Sequence, residues 1–212
     1  DVSGLGDWFV NEKKLGCTLG ELSEQIHALG LQFGIWFEPE CVSEDSDLYR
    51  AHPDWALKVP GKAPTRSRYQ LVLDFSRADV RDYIFKQMCQ VLDSAKIEYL
   101  KWDFNRSISD IYSAVLPSDK QGEVAHRFIL GLYDMLDKLG RRYPNMLIEG
   151  CCGGGGRFDA GMLYYSPQIW GSDNTDAIER LTIQYGSSFC YPISTIGSPV
   201  SQCPNAQTGR YT

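Results

Sequence analysis

The run IEYLKWDF, from Ile97 to Phe104, is the stretch on which the fold turns. It is short, rich in apolar and aromatic residues, and ends beside an acid, as a strand buried on both faces does. On either side the period changes from two to 3.6. Before it, Ala78 to Ser94 carries Val80, Ile84, Met88 and Val91 on one side, which predicts an amphipathic helix. After it, Lys120 to Leu139 predicts a second helix, with Gly140 as its stop.

The same alternation extends outward in both directions. Toward the amino terminus, QLVLDF (Gln70 to Phe75) and LQFGIWF (Leu31 to Phe37) read as strands. A helix from Thr18 to Gly30 precedes the latter, with Thr18 and Glu21 in capping-box spacing, apolar Leu19, Leu22, Ile26 and Leu29, and Gly30 as its stop. Toward the carboxyl terminus, MLIEG (Met146 to Gly150) and QIWGSD (Gln168 to Asp173) are strands, a helix starts near Asp176, and Tyr191 to Ile196 is a further strand candidate.

Alternating strands and helices imply a parallel sheet with right-handed crossovers, either closed or open and doubly wound. Two features select the closed form. Each strand ends near an acid (Glu38, Asp74, Asp103, Glu149, Asp173), as a rim built from strand ends requires, and the glycine-rich segment follows a late strand rather than the first. The expected fold class is α/β, a parallel (β/α)8 TIM-type barrel, incomplete in this chain because fewer than eight strands are legible. No internal boundary interrupts the alternation, so residues 1–212 read as one partial catalytic barrel domain.

Composition narrows the partners. With 43% hydrophobic, 12% aromatic and 23% charged residues the chain is an ordinary globular sequence. A net charge of −6 argues against nucleic acid, whose binding rests on Lys and Arg neutralising phosphates. No apolar stretch is long enough to span a bilayer, and no basic segment followed by an apolar run opens the chain, so no membrane partner is expected. The seven cysteines are an odd number with no metal-ligand spacing, which favours a reducing compartment and a cytoplasmic location. Cys151 and Cys152 read as buried small hydrophobes, and His27, His52 and His126, far apart, as structural residues.

Three segments carry candidate chemistry. In KWDFNR (Lys101 to Arg106), strand alternation places Lys101, Asp103 and Asn105 on one face and Trp102 and Phe104 on the other. A lysine beside Asp103 favours its ionised form, as a nucleophile requires; a buried structural Lys–Asp pair is the equal alternative from this segment alone. In WGSDNTD (Trp170 to Asp176), Asp176 reads as a helix cap. Asp173 ends the strand with Trp170 as an apolar wall that would raise its pKa, which makes it a candidate general acid. In EGCCGGGGRFD (Glu149 to Asp159), four successive glycines allow a sugar or a backbone to approach closely, and they do not match a nucleotide loop. Arg66 and Arg68, with Trp36 and Trp170, offer the donors and aromatic faces that suit a pyranose, whereas Trp102 belongs to the core.

GIWFEPE (Gly34 to Glu40), RSRYQLVLDFS (Arg66 to Ser76), YLKWDFNR, the long run from Glu149 to Asp176 and PNAQTGR (Pro204 to Arg210) together closely resemble the catalytic barrel of the family-36 glycoside hydrolases, the large bacterial α-galactosidases. The resemblance covers nearly the whole chain. It implies Asp103 as nucleophile and Asp173 as general acid/base, with galactose contacts from Arg68, Lys101, Asn105, Cys151, Gly154 and Trp170. It further implies a retaining hydrolase that releases terminal α-linked galactose from oligosaccharides by double displacement, with neither metal nor organic cofactor. Members of that family are often tetramers, which leaves a homo-oligomer open.

The sequence departs from the family pattern in three ways. An opening Asp-Asp-Gly-Trp strand that holds galactose hydroxyls is expected to lie before Asp1, the flanking β-domains are absent from these residues, and Pro199 and Ala206 stand where histidines are usual. Three other readings stay open on these grounds. They are a galactosyl-transferring enzyme of the raffinose-synthase type, an α-N-acetylgalactosaminidase, and, from another class, a non-catalytic sugar-binding fragment. A metal-dependent barrel lyase is the weakest, for want of a histidine-rich ligand set.

Overall fold

The computed structural model describes residues 3–211. A short helix α1 (Glu12–Leu15) precedes α2 (Leu19–Ala28), which begins with the expected capping box: the Thr18 hydroxyl accepts from Glu21 N, and the Glu21 carboxylate accepts from Thr18 N. The chain then runs through β1 (Gly34–Phe37), β2 (Cys41–Val42), α3 (Asp47–Ala51), β3 (Leu71–Val72) and α4 (Ala78–Leu92). It continues through β4 (Tyr99–Trp102), α5 (Val124–Arg142), β5 (Leu147–Gly150), α6 (Ala160–Tyr165), β6 (Gln168–Trp170), α7 (Ala177–Ser188) and β7 (Ile196–Gly197).

Five strands form one sheet in the order β1-β4-β5-β6-β7, every neighbour parallel. The parallel α/β reading holds. The sheet is open among the described residues: β1 lies at one edge and β7 at the other. Its core side is packed by the helices. Val80, Ile84, Met88 and Val91 of α4 are all buried, as are Phe128, Leu132, Met135 and Leu139 of α5, and Trp102 and Leu100 project into the same core from β4. Each such side chain contributes about 1.5–3 kcal/mol relative to exposure.

One strand has different partners from those expected. Gln70 to Phe75 does not join the parallel sheet; only Leu71 and Val72 are strand, and they pair antiparallel with β2. The excursion is set locally. Arg68 and Tyr69 both have left-handed backbones, with φ of 54° and 58°, and reverse the chain just before β3. After it, the Asp74 carboxylate accepts from Ser76 N and from the Ser113 hydroxyl, which ends the strand in a buried turn. Asp74 therefore belongs to this turn and not to the ends of the parallel strands.

Boundaries moved for similar reasons. Helix α5 runs through Gly140 to Arg142, because Leu139 is buried on the core side and Tyr143 N still bonds Leu139 O. Its start is a 3-10 turn over Ser118–Glu123. Strand β6 ends at Trp170, so Asp173 lies in the loop beyond it, and Tyr191 to Ile196 becomes a 3-10 turn (Ile193–Thr195) leading into the two-residue β7. Asp176 caps α7 as expected, its side chain accepting from the N–H groups of Ile178 and Glu179.

Candidate active site

The carboxyl ends of β4, β5 and β6 gather the sequence-predicted residues into two linked groups. The first centres on Asp103, which follows β4 directly and is 7% exposed. Oδ2 accepts from Trp36 Nε1 at 3.1 Å and from Asn105 Nδ2 at 2.6 Å, and Oδ1 accepts from Phe104 N at 2.9 Å. Cys151, just past β5, lies alongside: its carbonyl accepts from Phe104 N at 3.1 Å, which sets its thiol in the field of Asp103. All three donors bring a hydrogen to an oxygen, which is what an acceptor-only carboxylate uses. Burial and the neighbouring Asp103 charge push the Cys151 thiol up to about 12, against smaller opposing effects, so at neutral pH it remains an S–H donor.

The second group centres on Asp173. Trp170 Nε1 donates to Asp173 Oδ1 at 3.0 Å. Trp170 thus meets the acid with its N–H, and the apolar wall expected from sequence is replaced by a hydrogen bond. Lys101 Nζ sits 4.1 Å from the centroid of the Trp170 ring. Lys101 is not the ion-pair partner of Asp103: it pairs with Glu149 at 3.2 Å, because the β4–β5 register sets Lys101 directly opposite Glu149. Burial, with the neighbouring Glu149 carboxylate, raises the Tyr99 phenol.

The glycine run joins the two groups. Gly153 and Gly154 have φ of 53° and 86°, and the turn they make is closed by Cys152 N to Gly154 O at 2.9 Å. A Cβ on Gly154 would lie 3.0 Å from Ser172 Cα and 3.2 Å from Asp173 N; on Gly155 it would lie 2.7 Å from Gly171 O. The loop after β5 therefore rests on the backbone that carries Asp173, while its first residue, Cys151, bonds the backbones of Trp102 and Phe104 on either side of Asp103. The close approach expected of these glycines is made by protein backbone.

Buried polar pairs hold this arrangement; of their members the sequence marks only Glu38, as a strand-end acid, and not Glu40 or Arg157. Glu38 is buried, and its two oxygens accept from Asn105 N at 2.7 Å and from Gln70 Nε2 at 3.2 Å. Glu40 is 0% exposed and accepts both Arg157 Nη1 (2.8 Å) and Nη2 (2.9 Å) as well as Trp102 Nε1 (2.7 Å). This buried pair ties the end of β1 to the glycine loop. The signal for it was present in GIWFEPE and in the arginine directly after the glycine run, but nothing local links residues so far apart.

Arg68 is the one predicted contact not brought to either acid. It is exposed at the tip of the loop before β3. Arg106, buried beneath, pins that loop by donating to the carbonyls of Gln70 and Thr65. A cavity of about 530 Å³ opens between the loop and the glycine run, lined among others by Ser67, Asn105, Arg106 and Gly153. His27 bridges Ser23 and Glu98 and His52 stacks on Trp55, as structural residues do, whereas His126 is exposed on the surface of α5. Among the described residues no cluster of His, Cys, Asp and Glu could hold a metal ion, and no helix is long and apolar enough to cross a membrane.

Parallel strands that present hydrogen-bonded carboxylates at their carboxyl ends, on loops pinned by buried polar pairs, define an α/β protein with a strand-end functional face. The chain belongs to the Melibiase family, whose model matches residues 1–212. It is 60% identical over 212 residues to a bifunctional alpha-galactosidase/sucrose kinase, AgaSK, of Mediterraneibacter gnavus, covering all of this chain and 22% of that protein. Among solved structures, the GH36 alpha-galactosidase AgaA of Geobacillus stearothermophilus superposes with a TM-score of 0.97 at 55% identity, covering 100% of this chain and 29% of that one. A variant of the same Geobacillus protein, solved in complex with raffinose, matches with a TM-score of 0.96 at 55% identity over 99% of this chain and 29% of that one. The chain thus spans between a fifth and a third of the length of these relatives.

Proposed function

We propose that these residues are the catalytic part of a retaining α-galactosidase that releases terminal α-linked galactose from oligosaccharides, with Asp103 as nucleophile and Asp173 as general acid/base. The observation that carries the reading is the differing support of the two acids. Asp103 is buried and fixed by three donors, as an attacking carboxylate must be; Asp173, in a loop, is held by a single side-chain hydrogen bond that leaves its second oxygen free to carry a proton. The names of the relatives and the raffinose complex of one of them support the substrate class.

In the first step an Asp103 oxygen attacks the anomeric carbon as the glycosidic C–O bond breaks, and Asp173 gives its proton to the departing oxygen. In the second, Asp173 takes a proton from water, and that water's oxygen displaces Asp103 from the anomeric carbon, which restores both carboxyl groups and the starting configuration. This route calls for carboxyl groups roughly 5–5.5 Å apart when substrate is bound. Lys101, Asn105, Cys151 and Trp170 lie beside the acids and would meet the galactose; Gly154 would act by placing Asp173, and Arg68 would reach the sugar only from the exposed loop.

The sheet is proposed to be an arc of a (β/α)8 barrel closed by the rest of the protein. Both of its ends have unfilled apolar faces: a groove of about 360 Å³ beside β1, lined by Trp8, Val10, Leu19, Ile35 and Phe37 among others, and the exposed stripe Ile178, Leu181, Tyr185 and Phe189 on α7. A cytoplasmic location is supported by seven cysteines that are all free thiols.

Trapping the full-length protein with a mechanism-based galactosyl inactivator and mapping the label tests the assignment. Label on Asp103 is expected. Label on any other residue, or turnover with inverted configuration, would refute it.

A further inference from the structure

The first turn of α7 carries a buried charge that the described residues leave without a hydrogen-bond partner. Arg180 is 5% exposed, and its Nε, Nη1 and Nη2 all lack an acceptor among the described residues. A cation in such a place is costly unless something compensates it. What lies against it is Trp170: the guanidinium carbon is 5.4 Å from the centroid of the ring. Lys101 Nζ, 4.1 Å from the same centroid, is a second cation on this indole. Burial lowers the Arg180 guanidinium, and the Asp173 charge opposes that effect, which places the arginine within the electrostatic reach of the acid.

The surroundings fix Arg180 in place. Arg180 N donates to Asp176 O at 2.9 Å, and the fully buried Asp176 side chain is itself held by Thr208 and Arg210. On the far side, a Cβ on Gly171 would come within 3.0 Å of Ile196 Cγ2 and 3.8 Å of Arg180 Nη1, so the strand end is kept slim where the arginine passes. Gln207 Nε2 donates to the carbonyl of Asp173 at 2.9 Å and fixes the backbone of the acid. The remaining freedom is rotation of the Asp173 side chain and of the indole that bonds it.

We infer that Arg180 is a positioning residue: with its cation over the Trp170 ring, it holds the indole in the orientation from which Nε1 donates to Asp173, and so aims the proton-bearing oxygen of Asp173 at the departing glycosidic oxygen. The inference rests on the assignment of Asp173 as general acid. A buried cation over the ring face is attracted to that face, so a rotation that turns the indole away is opposed, and the same rotation breaks the hydrogen bond. Lys101 cannot substitute, because its ammonium is a point charge already tied to Glu149.

The test uses the full-length protein with Arg180→Met and Arg180→Lys, and two substrates that differ only in their need for a proton. An α-galactoside of an aliphatic alcohol needs protonation of its leaving oxygen; a dinitrophenyl α-galactoside does not. Arg180→Met is expected to lower kcat/KM about ten- to a hundredfold on the alkyl substrate and less than about threefold on the dinitrophenyl one. Arg180→Lys, which keeps the charge on a shorter side chain, is expected to fall between, and it also serves where Arg180→Met fails to fold. Equal losses on both substrates would overturn the inference by making Arg180 merely structural, for example through partners elsewhere in the protein; so would no loss on either. Asp173→Ala measured on the same pair separates the premises. If it shows the leaving-group selectivity and the Arg180 variants do not, the inference alone fails; if it shows none, the acid assignment fails and the inference with it.

Discussion

Replacing Gly153, Gly154 and Gly155 by alanine, one at a time, separates two reasons for a glycine run at this site. Gly153 has φ 53° and open space around its would-be Cβ, so Gly153→Ala meets only the left-handed backbone, a cost of about 1–2 kcal/mol. Gly155 has no such φ, but its Cβ would stand 2.7 Å from Gly171 O, a contact with backbone that must move aside, costing about 1–3 kcal/mol. Gly154 has both: φ 86° and contacts of 3.0 Å to Ser172 Cα and 3.2 Å to Asp173 N, for a total of about 2–5 kcal/mol. The functional consequence differs more than the stability. Only Gly154→Ala pushes on Asp173 itself, and a shift of a few tenths of an ångström there is expected to cost about tenfold in kcat/KM. The assay is denaturant unfolding and galactoside hydrolysis by each variant of the full-length protein. Gly153→Ala as damaging to activity as Gly154→Ala would refute the docking of the loop onto the Asp173 backbone. So would a Gly154→Ala variant that is stable and fully active.

Three further outcomes follow from the same geometry. Glu40→Ala removes one half of a buried ion pair and leaves Arg157 uncompensated, so a loss of about 3–5 kcal/mol in unfolding free energy is expected; a loss below about 1 kcal/mol would show that the pair is open to water. Glu98 is held down to about 2 from its ordinary 4.5, chiefly by the N–H of Phe33 and then by His27 and Lys96. Its stabilisation is present above 4.5 and fades as pH falls toward 2, so Glu98→Gln should flatten the acid side of the stability profile in that window; an unchanged profile from pH-dependent denaturation would contradict this. Azide added to Asp103→Ala should enter from the face the carboxylate vacated and give β-galactosyl azide, whereas Asp173→Ala with azide should give the α product, as read by NMR of the anomeric proton. The same product configuration from both variants would reverse or remove the assigned roles.

Much of the fold was legible because it is set by neighbours in sequence. The Thr18 and Glu21 capping box, the α4 stripe from Val80 to Val91 and the Asp176 cap are all set between residues two to four apart, and each appears as read. Strand β3 was misplaced because a short apolar run says that a strand is buried and not which strand it pairs with. The two left-handed residues that turn it away, Arg68 and Tyr69, are not of the types that advertise such a turn. Lys101 was assigned to the wrong acid on similar grounds: two residues along one strand face are farther apart than residues opposite each other on adjacent strands, and Glu149 is opposite.

The sequence by itself determined the alternation of parallel strands and helices, the core stripes of α4 and α5, and the two acids that the strands carry to one face. Tertiary structure decided how those acids are equipped. Trp36 reaches Asp103 across 67 residues, Glu40 meets Arg157 across 117, and the glycine loop lies on Gly171 to Asp173 only because β5 and β6 are adjacent in the sheet. Periodicity reports which face a side chain occupies; it carries no information about which distant group will stand opposite once the chain has closed. Arg180 makes the point most sharply, since on sequence it is one more polar residue in the first turn of a helix, and only the packing of α7 against β6 sets its charge beside Trp170.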